Sequence, residues 1–126
     1  AHSQYHKHGA YLLENSDMPG FSREDQRMLA TMVRSHRRKF PYELFKEFPQ
    51  QQGKQLQRLS ILLRIAVLLH RSHSDISLPH ISYHAEGKQL KMEFPAGWLD
   101  EHPLTRVDLE TEAEYLKSAK FRLLFE

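Results

Sequence analysis

Gln55–His73, QLQRLSILLRIAVLLHRSH, is the stretch on which the reading of this chain turns. From Leu59 to Leu69 it is apolar except for Ser60 and Arg64. The run is too short for a bilayer span, which takes about 20 residues. It is also long for a buried strand and lacks turn residues, although Ile61, Ile65 and Val67 are β-branched. A helix apolar around most of its circumference is buried with neighbours on several sides. The stretch therefore predicts the central helix of a small helical domain, with basic ends at Lys54, Arg58, His70, Arg71 and His73.

Upstream, Gln50–Gly53 reads as a polar linker, and Tyr42–Phe48 as a short amphipathic turn or helix between Pro41 and Pro49. Before it, Arg23 to about Lys39 predicts a helix with Met28, Leu29, Met32, Val33 and His36 on one face. Ser22 is its N-cap, and Asp25 stands in capping-box position. The turn formers of Asn15–Gly20 separate it from a first helix over residues 2–14. Downstream of Asp75 the period changes to two. Ile81 and Tyr83, a Glu86-Gly87 turn, then Leu90, Met92 and Phe94 predict a β-hairpin. Trp98 and Leu99 follow the Pro95-Ala96-Gly97 break and are expected to pack on the core. A helix from about Arg106 to Ala119 places Leu109, Ala113 and Leu116 together, and Phe121–Phe125 predicts a last strand. The fold class is α+β, with a helical domain over residues 1–75 and a small ββαβ domain over residues 76–126.

The 126 residues, 40% hydrophobic, can bury one modest core or two small ones. No cysteine is present, which excludes disulfides, thiolate metal sites and a cysteine nucleophile and agrees with a reducing compartment. No signal peptide or membrane span is visible. Ala1 falls inside the first predicted helix, so a fragment of a longer protein is expected. The net charge of +2 conceals an asymmetry: residues 1–73 carry +6 and residues 74–126 carry −4. A basic first part suits an anionic partner, while the acidic second part argues against a surface that coats nucleic acid.

The densest basic feature is Arg34-Ser35-His36-Arg37-Arg38-Lys39. Arg27, Arg34 and Arg38, at spacings of seven and four, form one stripe if the helix continues, and Arg23 extends it. Charged helix faces are ordinarily just solvated, and cations favour a helix C-terminus. The functional alternative is a phosphate track, because guanidinium forks take phosphate oxygens in two-point contacts. The cluster lacks the interleaved aromatics of single-strand nucleic-acid binders. His2 and His6, four apart, could share a metal, but no third ligand accompanies them and His8 points elsewhere; packing, or a proton-dependent contact to an anion, fits them better. Arg64 needs a carboxylate or phosphate partner or a path to solvent, with a structural ion pair the expected solution. Glu110, Glu112 and Glu114 are spaced around a helix and read as solvated. No phosphate loop, metal site or nucleophile–base pair is evident, so no catalytic residue is assigned.

Taken together, His2-Ser3, His8–Leu13 (HGAYLL), Asn15–Phe21 (NSDMPGF), Leu29–Lys39 (LATMVRSHRRK), Leu62–Leu69 (LLRIAVLL), Phe94–Leu99 (FPAGWL) and Asp108–Tyr115 (DLETEAEY) resemble the C-terminal region of bacterial exopolyphosphatases. The sister branch is guanosine pentaphosphate phosphohydrolase; the basic run and the Asn-Ser-Asp segment look more like the exopolyphosphatase branch. The resemblance implies a cytoplasmic parent enzyme whose N-terminal actin-like domains, absent from these residues, hydrolyse a terminal phosphoanhydride with Mg²⁺ bound there. It implies that this chain is an HD-like helical domain plus a small α/β domain that bind long inorganic polyphosphate and support a homodimer. Arg34, Arg37, Arg38 and Lys39, with His36 and Arg27, are the expected polyphosphate contacts. No nucleic-acid partner is expected, and peripheral membrane association is compatible with the charge. The chain lacks the adjacent His-Asp pair of HD enzymes and has Leu69-His70-Arg71 where their last metal-binding aspartate would stand. That predicts an HD fold without its metal chemistry. A residual HD-type phosphohydrolase acting on nucleotides is the remaining alternative.

Overall fold

The computed structural model describes residues 5–72 and 78–126. Cα packing divides the chain into two compact units, Ala1–Ile65 and Ala66–Glu126, with the division inside one helix. The predicted domain boundary at residues 75/76, like His2 and His73, lies outside the described residues.

In the first unit, α1 (Tyr5–Asn15) packs against α2 (Arg23–Ser35). The capping box is present: Ser22 Oγ accepts from the Asp25 amide at 3.0 Å, and the Ser22 amide donates to Asp25 Oδ2 at 3.4 Å. Gln26 Nε2 donates to the Leu13 and Ser16 carbonyls (3.1 and 2.6 Å), which α1 cannot satisfy at its own C-terminus. Close approach is possible because small residues lie at the contact: a Cβ on Gly9 would stand 3.2 Å from Val33 Cγ1. The deepest α2 residues are likewise small, Ala30, Thr31 and Ser35, whereas Met28, Leu29, Met32 and Val33 are only half-buried.

The α2 helix is shorter than its sequence predicts. It ends at Ser35, and residues 36–39 bend, with Arg38 in the left-handed region at φ 60°. The stripe Arg27–Arg34–Arg38 therefore does not continue along one helix face. The chain then buries Phe40, which stacks on Phe45 of a short 3₁₀ helix, Tyr42–Glu47, at 5.1 Å.

Gln50–Gly53, expected to be a linker, is the first turn of α3 (Gln50–Ser72). Glutamine is a good helix former, and Pro49 is positioned as a start signal. Gly53 is buried because the Phe45 carbonyl oxygen lies only 2.6 Å from where a Cβ would stand. Leu56, Ser60, Ile61, Arg64 and Ile65 form the buried stripe of α3 within this unit, at spacings of three and four. The helix is not enclosed all round, however: Leu59 and Leu62 remain 50% and 52% exposed.

The second unit contains β1 (Ser82–Glu86), β2 (Gln89–Glu93), α4 (Trp98–Glu101), α5 (Pro103–Leu116), a 3₁₀ turn (Lys117–Ala119) and β3 (Arg122–Phe125). The predicted hairpin and ββαβ order are present, in strand order β1-β2-β3. β1 and β2 pair antiparallel, with Glu86 opposite Gln89 across Gly87, whose φ of 57° suits the tight turn. β2 and β3 pair parallel, Leu90 opposite Leu123. Leu90, Met92, Leu109, Leu116 and Leu123 are core residues, and each contributes about 1.5–3 kcal/mol of burial. Leu99 is buried as expected; Trp98 stacks with the Phe94 and His102 rings at 5.2 and 3.7 Å. The buried α5 residues are Thr105, Leu109, Glu112 and Leu116, so Glu112 is inside rather than solvated, while Glu110 and Glu114 are exposed. Among the described residues no helix is long and apolar enough to cross a membrane.

Candidate anion-binding site

The C-terminus of α2 presents carbonyls without helical partners, and Arg64 of α3 supplies donors to them. Its Nη1 donates to the Ser35 carbonyl at 2.7 Å and its Nη2 to the Arg38 carbonyl, while the guanidinium carbon lies 5.4 Å from the centre of the Phe40 ring. Arg64 is only 2% exposed. Arg64 thereby caps a helix end at two points, where a cation also meets the negative pole of the dipole. The fork spans the bend and secures the left-handed turn at Arg38.

That turn directs the basic run. His36 is the C-cap, with its Nδ1 bonded to the Val33 carbonyl. Arg37 is half-buried; Arg34, Arg38 and Lys39 are exposed. Packed beside the bend is His6 of α1, 6% exposed, whose ring meets that of His36 edge-on at 6.2 Å. Burial lowers the His6 pKa below the ordinary 6.5, and the charges of His36, Arg37, Lys7 and Arg38 lower it further. Its Nδ1 is buried without a hydrogen-bond partner among the described residues. Positive charge thus acts on an imidazole whose Nδ1 has no hydrogen-bond partner among the described residues.

Five of the six predicted site residues divide between two places, and Lys39 lies exposed at the end of the bend. His36 meets the His6 ring, Arg37 and Arg38 follow His36 in the bend, and the charges of Arg37, Arg38 and the adjacent Lys7 act on His6. Arg34 and Arg27 instead line a groove of about 370 Å³ between α1, α2 and the 3₁₀ helix, with Lys7, Tyr11, Glu14 and Glu47. Lys7 belongs to both. Arg27 is held structurally: it donates to the Glu47 carbonyl at 2.9 Å, approaches Glu24 at 3.6 Å and stacks 4.4 Å above Phe48. Lys7 is not among the residues the sequence singles out, because only helix pairing brings it into the groove with Arg34. His8 is exposed, and among the described residues no three or more His, Cys, Asp or Glu side chains gather as a metal site.

Comparison with known proteins identifies the family. The model of the family described as "Ppx/GppA phosphatase, domain III" matches residues 1–113. The chain is 32% identical over 108 residues to a guanosine-5'-triphosphate,3'-diphosphate pyrophosphatase of Aeromonas salmonicida, covering 86% of this chain and 22% of that protein. Relatives of the same name are 32% identical over 126 residues in Pseudoalteromonas translucida (98% and 24%) and 34% over 110 residues in Vibrio vulnificus (85% and 21%). The chain thus spans less than a quarter of the length of these curated relatives. By the extent of the family match and by these identities, the chain belongs to the Ppx/GppA phosphatase family, as its domain III.

Proposed function

We propose that this chain is the C-terminal part of an exopolyphosphatase and that its first unit binds the phosphate chain of the substrate. The observation that carries the reading is the cationic bend at the end of α2, where His36, Arg37 and Arg38 follow one another beside His6 and Arg64 fixes the backbone beneath them. Guanidinium groups there take successive phosphates of inorganic polyphosphate, while the hydrolytic step and its Mg²⁺ belong to parts of the parent enzyme outside this chain. In this reading the helices are HD-like without HD metal chemistry, the parent acts in the cytoplasm, and the chain forms a homodimer. The exposed Leu59 and Leu62 on α3 support such a contact.

A second reading takes guanosine pentaphosphate as the substrate, and the names of the relatives favour it. Both ligands offer phosphoanhydride oxygens to the same cations. Competition separates them: fluorescently labelled polyphosphate bound to the chain is displaced by unlabelled polyphosphate and, in the second reading, by guanosine pentaphosphate at comparable phosphate concentration. Arg37→Ala/Arg38→Ala weakens polyphosphate binding at least about tenfold in the first reading, since each charge-assisted contact is worth about 1.5 kcal/mol or more. Undiminished polyphosphate binding by that variant overturns it.

A further inference from the structure

The basic run leaves one buried group unused. His6 is almost fully enclosed, its Nδ1 has no partner among the described residues, and an unmade hydrogen bond at a buried polar atom is costly. The charged groups that act on it are cationic or become so on protonation: Lys7, its neighbour on α1, and His36, whose ring lies 6.2 Å away, with Arg37 and Arg38 in the bend that follows. Such surroundings repel a metal cation and attract an anion.

We propose that His6 is the buried member of the anion site formed with His36, Arg37, Arg38 and Lys7, and that a phosphate oxygen bound there supplies the partner its Nδ1 lacks. The inference rests on the phosphate-binding role proposed above and adds a residue and a proton to it. Without ligand, burial and the neighbouring charges disfavour the protonated form of His6. A bound phosphate offsets those charges and accepts a hydrogen bond from the ring, so the imidazole takes up a proton from solvent as the anion arrives. The proton taken from solvent forms one new N–H bond on the ring, whose dipole points at the ligand oxygen; no bond of the phosphate breaks, and affinity rises as pH falls.

Inorganic tripolyphosphate is the probe. Titration calorimetry of the full chain in two buffers of different ionisation enthalpy, at about pH 6.5, counts protons taken up on binding. The expected result is uptake approaching one proton at most in the wild type, reduced in His6→Asn, whose amide stands in for Nδ1 without titrating. Affinity is largely kept in His6→Asn and reduced about tenfold in His6→Phe, which fills the space without a donor. Equal proton uptake in wild type and His6→Asn, with binding that still requires Arg37 and Arg38, overturns the role of His6 and leaves the basic-run reading standing. Absence of tripolyphosphate binding to the wild type overturns both. Should His6→Phe fail to fold, the proton count in wild type and His6→Asn decides alone.

Discussion

Arg38 combines two properties that usually belong to different residues: a cationic side chain in the candidate site and a backbone at φ 60°. A non-glycine residue in that region costs about 1–2 kcal/mol. Arg38→Gly relieves the strain and is expected to hold or raise the melting temperature while weakening phosphate binding. Arg38→Val should lower both, because a β-branched side chain tolerates positive φ poorly. A matching loss of stability in the glycine variant would show that the conformation is not the strained one. His6 carries a pH prediction. Its folded-state pKa is depressed, so the unfolded chain binds the proton more readily, and stability is complete above about pH 6.5 and declines as pH falls below it. The melting temperature of wild type should therefore drop more between about pH 7.5 and 5.5 than that of His6→Asn. A histidine at helical spacing was legible in the sequence; its isolation among cations was not, because His36, Arg37 and Arg38 reach it only through tertiary packing.

At the scale of elements, the end of α2 depends on a residue 29 positions away from Ser35. Arg64→Met removes donors from two carbonyls, each costing about 1–3 kcal/mol when left unmade, and should destabilise the first unit by about 3 kcal/mol in urea unfolding. Arg64→Lys, a point charge without the fork, should recover only part of that. Full stability of Arg64→Met would mean that solvent satisfies the bend. Gly53→Ala places a methyl group against the Phe45 carbonyl and should cost about 1–3 kcal/mol, checked in the same unfolding experiment. The cap of α2 and the β1–β2 hairpin were readable because their signals lie within a few residues: Ser22 with Asp25, and Gly87 between alternating strands. The Gln50–Gly53 turn was misread because polarity resembles a linker, although glutamine propagates a helix well. The α2 end was misread for the opposite reason. Nothing local forbids residues 36–39 from continuing the helix, and the guanidinium that bends them comes from α3.

For the whole molecule, charge and apolar exposure are distributed unevenly. Residues 1–73 carry the net positive charge and the arginine bend, while the second unit is acidic and built around a small three-stranded sheet. The apolar run Leu59–Leu69 correctly signalled the long α3 helix, yet its full enclosure did not follow, since Leu59 and Leu62 stay half exposed. If these leucines cover a second copy, Leu59→Ser/Leu62→Ser should shift sedimentation from dimer to monomer without loss of helicity; a wild-type chain that is monomeric at every concentration would remove dimerisation from the account. The central claim is that the bend at the end of α2 holds phosphate chains electrostatically. Its most direct measurement is the affinity of the chain for long polyphosphate as salt rises from about 50 to 200 mM. The account predicts a fall of about tenfold to a hundredfold, with a shallower slope in Arg37→Ala/Arg38→Ala, whereas binding indifferent to salt, or a slope unchanged by those substitutions, would contradict it.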